Sequence, residues 1–289
     1  MTTTTLPPRA GRHCHNAVNP LHSALYFSPD LGRELEALGL THPRGAYFAG
    51  RSAPMGAVGA GTVTATFYNF SHELVARHVP AVWETASPAA VLDARLRAVD
   101  VTLRRLLGED VIASPEMAEG ADLALRATEA CGRSGRPLYA AHADLPVPEE
   151  PHLAFWHAAT LLREHRGDGH IALLVDAELD PLEALVSHTA SGRGMRPVWA
   201  LRTRGWTEAD WSAAQDRLRD RKLLDAAGEL TDAGAELRKT LEDETDRLDR
   251  APYEHLGAAG VERLTALATE WRNKAVMAGA YPPDLFGKS

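Results

Sequence analysis

The densest run of chemistry-bearing side chains is Arg163-Glu164-His165-Arg166-Gly167-Asp168-Gly169-His170. An acid stands here with a base two residues away on each side, and the flanking glycines permit a bend that aims side chains inward. The spacing predicts that Asp168 pairs with Arg166 or His170, raising the imidazole pKa by its negative charge. His152, Trp156 and His157 lie just upstream, and His157 and Glu164, seven apart, share a helix face. Such a set suits a ligand pocket or an acid–base or metal site. The plainer alternative is a helix–helix corner held by an Arg–Asp pair.

Other polar residues carry weaker signals. His13-Cys14-His15 offers three soft ligands, but no second pair follows at zinc spacing, so no metal site is expected. His22 and Tyr26 lie one helical turn apart beside apolar residues, whereas His72 and His78, six apart, do not share a close face. Gly56, Gly59 and Gly61 are spaced like a phosphate loop. Without GxGxxG, a Walker lysine or a preceding strand, they read as close helix packing. HExxH, GxSxG and DxDxDG motifs are missing, and no cofactor is indicated. With only Cys14 and Cys131, a disulfide scaffold is excluded.

These residues sit in a chain of 289 residues, 45% hydrophobic and 24% charged, enough apolar material for one or two cores. The net charge of -8 excludes a polybasic nucleic-acid binder. Only four of the 31 basic residues are lysines, a bias that makes each arginine less informative. There is no apolar run long enough for a transmembrane helix, and Met1 to Leu6 lack the features of a signal peptide. A soluble, cytoplasmic protein without membrane partners is the expectation.

The elements that must position the polar residues are helical. Ser28-Pro29, Ser87-Pro88, Ser114-Pro115 and Asp180-Pro181 each place a capping side chain before a proline at the first helical position. Apolar residues recur at helical spacing through Leu21 to Leu38, Val91 to Leu106 and Val261 to Val276. Residues 144–151, with three prolines, read as a linker. Gly167 and Gly169 are expected to end one helix near His165 and to precede another over 170–179. The expected organisation is a disordered leader over 1–14, a helical domain over 15–143, a helical connector over 152–192, a module over 193–251, and a C-terminal helix and tail over 252–289. The terminal helix could pack back on the first domain or form a homodimer seam.

Residues 196–250 read helix, turn, helix, short hairpin, helix, with the hairpin near 224–231 and Gly228 at its tip. Arg217-Leu218, Leu223-Leu224 and Leu230-Thr231-Asp232-Ala233-Gly234 resemble the MarR-type winged helix over about 55 residues. The whole chain also resembles an actinobacterial family carrying such a helix-turn-helix-like module. That likeness rests on Gly45-Ala46-Tyr47-Phe48-Ala49-Gly50-Arg51, Phe67-Tyr68-Asn69-Phe70, the 163–170 run and Arg204-Gly205-Trp206-Thr207. It brings no activity with it. The module departs from a duplex reader in charge: 195–250 holds 11 basic and 13 acidic residues, and Leu224 to Leu230 holds two acids and no base.

The expected fold is therefore mainly α: an N-terminal helical bundle plus a C-terminal winged-helix (helix-turn-helix-like) domain with a short β-hairpin. The leading functional expectation is a small-molecule-responsive regulator, or a degenerate derivative of one. Its ligand-binding candidates are His22, Tyr26, Asn69, His157, Arg166, Asp168 and His170. Arg202, Arg204, Arg217 and Arg221 are the candidates for contact with double-stranded DNA. The alternatives are an enzyme of secondary metabolism using the 157–170 cluster, and a dimeric scaffold without catalysis.

Overall fold

The computed structural model describes residues 6–285, and these form sixteen α-helices. In chain order they are α1 (Ala10–Ser23), α2 (Pro29–Glu36), α3 (Pro43–Ser52), α4 (Ala60–Phe67), α5 (His72–Ala76), α6 (Val82–Thr85), α7 (Pro88–Leu107) and α8 (Glu109–Ile112). They continue as α9 (Pro115–Thr128), α10 (Pro137–Ala143), α11 (Pro151–Asp176), α12 (Pro181–Ala190), α13 (Pro197–Arg204), α14 (Glu208–Asp220), α15 (Asp232–Leu248) and α16 (Arg250–Met277). A 3-10 turn over Ala24–Phe27 follows α1.

Local chemistry explains where the helices start. The hydroxyls of Ser28, Ser87 and Ser114 accept backbone N–H bonds from Asp30, Ala90 and Met117, and each is followed by proline at the first helical position. Asp180 and Thr207 form reciprocal capping boxes with Glu183 and Asp210. Each cap satisfies donors that a helix start otherwise leaves open, worth about 1 kcal/mol.

Three expectations need correction. Among the described residues there is no strand, so the β-hairpin near 224–231 is not formed. A single antiparallel bridge, Leu224 to Leu230, closes a tight turn in which Asp225 N–H donates to Glu229 O at 2.9 Å. Seven residues leave no length for a ladder, and Asp225 Oδ1 instead caps the N–H groups of Ala227 and Glu229. The winged-helix reading fails with it. Second, helical structure starts at Ala10 within the expected 1–14 leader, and Cys14 is fully buried; residues 1–5 lie outside the described residues. Third, α11 runs unbroken through Gly167 and Gly169. A helical glycine costs only about 1 kcal/mol, and neither glycine has a positive φ that would break the helix.

The chain folds as two compact units. Unit 1 comprises residues 1–58, 80–169 and 246–281; unit 2 comprises 59–79, 170–245 and 282–289. The 144–151 segment falls within unit 1. In unit 1, α16 packs against α1 and α9, and α2 against α7. The apolar stripe of α16 (Val261, Leu264, Leu267, Ala268 and Trp271) is buried there, while Val276 is exposed. In unit 2, α12 packs against α14 around Leu182, Val186, Trp211, Ala214, Leu218 and Leu223. Burying each large side chain of this kind contributes about 1.5–3 kcal/mol.

Candidate functional site

Unit 1 gathers an unusual set of polar side chains in its interior. His22 comes from α1, Tyr26 from the turn after it, Tyr47 and Arg51 from α3, Arg95 from α7 and His142 from α10. His157, Thr160 and Glu164 follow one face of α11. His22, Arg51, Arg95, His142, His157, Thr160 and Glu164 are all buried. Apolar spacing brings these helices together, and the polar residues interrupt the buried faces, which is where a site can be built without solvent competition.

The hydrogen bonds fix much of the protonation. His142 Nδ1 lies 2.9 Å from Leu138 O, so it carries the proton and donates. Its Nε2 then accepts from Arg95 Nη1 at 3.3 Å, and the same Nη1 donates to Gly50 O at 3.0 Å. Thr160 Oγ1 donates to Trp156 O at 2.8 Å, so His22 Nδ1–H donates to Thr160 Oγ1 at 2.9 Å and His22 Nε2 remains a bare acceptor. Burial, with the charge of Arg95, drives His142 down to about 3 and His157 down to about 4. Burial also drives His22 well below its ordinary value. The three imidazoles are therefore neutral at pH 7.

Glu164 is the carboxylate of the cluster. Burial alone would raise its pKa, but Arg163 and Arg51 pull it down to about 2. Its Oε2 pairs with Arg163 Nη1 and faces Arg51 Nη2 at 3.7 Å, while its Oε1 has no hydrogen-bond partner. Tyr26 Oη is likewise buried without a partner. Rings frame these groups: His22 stacks on Trp156 with centroids 5.5 Å apart, and Tyr26 meets Tyr47 edge-to-face at 5.6 Å.

A second polar group in unit 1 is built from ion pairs, and it too holds buried oxygens without a hydrogen bond, Asp246 Oδ1 and Asp249 Oδ2. His165 Nδ1 lies 2.7 Å from Asp249 Oδ1, and Arg166 Nη1 lies 2.9 Å from Asp246 and 3.8 Å from Asp249. Arg12 Nε adds a contact to Asp246 at 2.7 Å. Two arginines here face two aspartates, a balanced arrangement that fastens helices together.

The expected ligand-binding residues therefore divide. His22, Tyr26 and His157 join the first cluster, and Arg166 joins the second. Asp168 pairs with neither Arg166 nor His170: its Oδ2 accepts the N–H groups of Leu138 and Tyr139, at 3.0 and 2.9 Å, and caps the start of α10. Continuity of α11 causes this, since in an unbroken helix residue 168 points away from the face that residues 166 and 170 share. His170 belongs to unit 2, where its Nδ1 lies 2.8 Å from Thr245 Oγ1. Asn69 also belongs to unit 2, and its backbone O accepts Trp206 Nε1–H at 3.0 Å. Tyr47, Arg51, Arg95, His142 and Thr160 completed the cluster without being singled out, and Glu164 was marked only by sharing a helix face with His157. The Tyr47–Arg51 spacing of four was the available signal. Among the described residues, no three His, Cys, Asp or Glu side chains converge as a metal site.

In unit 2, α13 and α14 are joined by Gly205, Trp206 and Thr207. Gly205 has φ +79°, and a Cβ there would stand 2.5 Å from Ser71 Oγ and 2.6 Å from Leu74 Cβ, so only glycine fits. The arginines expected on DNA are engaged within the unit. Arg217 holds Asp180 at 2.5 Å and Glu183 at 3.0 Å. Arg221 donates to the backbone oxygens of Glu178 and Ala177, at 2.7 and 3.0 Å. Arg204 lies over Phe70 at 4.4 Å and Arg202 over Trp199 at 5.4 Å. Glu208, Asp210, Asp216 and Asp220 stand exposed on α14.

A model of a helix-turn-helix family matches residues 11–282. No curated protein and no solved structure matches the chain. No helix among the described residues is long and apolar enough to cross a membrane.

Proposed function

Because the chain belongs to this helix-turn-helix family, its module invites a nucleic-acid reading, yet we propose that its working site is the interior of unit 1 and that it binds a small molecule there. The observation that carries this reading is the pair of buried orphan groups, Tyr26 Oη and Glu164 Oε1, within one cluster of neutral histidines and buried arginines. An unpaired buried polar atom costs about 1–3 kcal/mol, and a bound ligand supplies the missing partner. The module of unit 2 then serves as a folded scaffold derived from a duplex reader. Its α14 presents four exposed carboxylates where a recognition helix needs to approach phosphates.

The second reading is a DNA-binding regulator, which family membership and the α13–turn–α14 arrangement favour. A homodimer, matching a two-fold operator, belongs to that reading. One pair of measurements separates the two: a thermal-shift screen of the full chain with neutral and charged small molecules, and a polarisation titration with labelled duplexes at low salt. Small-molecule binding predicts stabilising compounds whose effect is lost in Tyr26→Phe and His157→Leu, with weak duplex binding indifferent to sequence. Tight, sequence-selective duplex binding alongside a silent screen would contradict it.

A further inference from the structure

Three groups of the unit 1 cluster have hydrogen-bonding capacity that no atom of the described residues uses. Glu164 stays ionised, so its Oε1, buried without a partner, can only accept. His22 gives its one ring proton to Thr160, so its Nε2 likewise can only accept. Tyr26 Oη can both donate and accept. Contacts link the three. The His22 and Tyr26 rings meet at 5.5 Å and the Tyr26 and Tyr47 rings at 5.6 Å; Arg51 Nη1 donates to Tyr47 Oη at 3.3 Å, and Arg51 Nη2 lies 3.7 Å from Glu164 Oε2. Charge narrows what fits. Counting Asp168, which is coupled to Glu164, the deeply buried charges are Arg51 (8% exposed), Arg95 (4%), Glu164 (1%) and Asp168 (5%), two cations against two anions. Arg163 pairs with Glu164 and keeps 32% of its side chain exposed. This balance leaves no charge for an ionic ligand to neutralise. A carboxylate would bring only acceptors to Glu164 Oε1, and an ammonium would sit among three arginines.

We propose that the cluster takes a small neutral carboxamide, whose N–H groups supply Glu164 Oε1 and His22 Nε2 and whose carbonyl oxygen accepts from Tyr26 Oη. The inference rests on the small-molecule reading above and names its ligand class. A primary amide carries two N–H donors beside one carbonyl acceptor, the complement of two acceptors and one hydroxyl. A hydrogen bond to a buried carboxylate is about twice as strong as one to a neutral acceptor, so Glu164 contributes most of the selectivity for an N–H donor. An alcohol brings a single donor and leaves one of the two acceptors open.

The test titrates the full chain with propanamide, propanoate and propylamine by ligand-detected NMR and thermal shift. Propanamide should bind and raise the melting temperature; the acid and the amine, matched to it in size, should bind at least about tenfold more weakly. Tyr26→Phe should melt, without ligand, at or above the wild-type temperature, because its hydroxyl has no partner to lose, and should weaken propanamide binding by about tenfold. Glu164→Gln removes the charged acceptor and should weaken that binding by at least about tenfold; Tyr26→Phe carries the test if the Gln variant does not fold. Acid or amine binding equal to that of the amide, and lost in Tyr26→Phe, would overturn the carboxamide inference and leave the small-molecule reading standing. Propanamide binding undiminished in the folded variants would overturn the inference, as would silence from all three probes, which would assign the three groups to ordered water. The broader reading falls only if the wider compound screen is silent too.

Discussion

Asp168 offers a perturbation whose magnitude follows from two hydrogen bonds and one titration. Its Oδ2 accepts the N–H groups of Leu138 and Tyr139 at the start of α10, which has no side-chain cap of its own. Burial pushes its pKa from an ordinary 3.8 up to about 6, the two N–H donors offsetting only part of the cost. The folded chain thus holds a proton between these values that the unfolded chain has released. The resulting stability is fully present below about pH 4 and is lost as pH rises through 6. Two pKa units correspond to about 3 kcal/mol. Asp168→Asn keeps a carbonyl oxygen for both N–H groups and removes the titration. It should therefore match the wild type near pH 4 and exceed it by up to about 3 kcal/mol at pH 8. Asp168→Ala leaves both buried donors without an acceptor, at about 1–3 kcal/mol each, and should be about 2–6 kcal/mol less stable than the Asn variant. The assay is guanidinium denaturation of all three proteins at both pH values, compared as differences so that shared titrations cancel. An Asn-minus-wild-type difference that does not change with pH, or an Ala variant as stable as the Asn variant, would refute the reasoning.

Other expectations are more local. Arg217→Ala leaves buried Glu183 with one weaker cation, Arg221 at 3.5 Å; denaturation should show a loss of about 1–3 kcal/mol, with duplex affinity unchanged. Gly205→Ala combines an unfavourable positive φ with contacts to Ser71 and Leu74, so unfolding curves should record a loss of at least about 2 kcal/mol. Burial raises the thiol pKa to about 11 at Cys14 and about 12 at Cys131. Iodoacetamide at pH 8 should therefore spare both in the folded protein and label both once it is unfolded, as read by mass spectrometry.

What the sequence revealed was mostly local. Ser28, Ser87, Ser114, Asp180 and Thr207 act on the next three residues, so their capping was legible without knowing any tertiary partner. Gly167 and Gly169 misled because the cost of a helical glycine is small beside the packing around the rest of α11. A third of the candidate site was visible as histidines and tyrosine at helical spacing: His22, Tyr26 and His157. Arg51 and Arg95 were hidden because arginine is the common base of this chain, and nothing local distinguishes a buried guanidinium from a solvated one. Apart from the Tyr47 hydroxyl one turn before Arg51, their partners are 45 or more residues away, such as Gly50 and His142 for Arg95. Of the four candidate DNA-contacting arginines, Arg202 and Arg204 lie on α13, Arg217 on α14 and Arg221 just past its end, and their ring, carboxylate and backbone partners could not be read from spacing.

The claim that unit 1 holds a small-molecule site is tested most directly by a ligand-detected NMR screen of small acids, amides and alcohols against two proteins, the wild type and a Glu164→Gln/Tyr26→Phe double variant. Compounds that bind the wild type and lose that binding in the folded double variant are the predicted result. A screen without hits, or hits that the double variant retains undiminished, would contradict it.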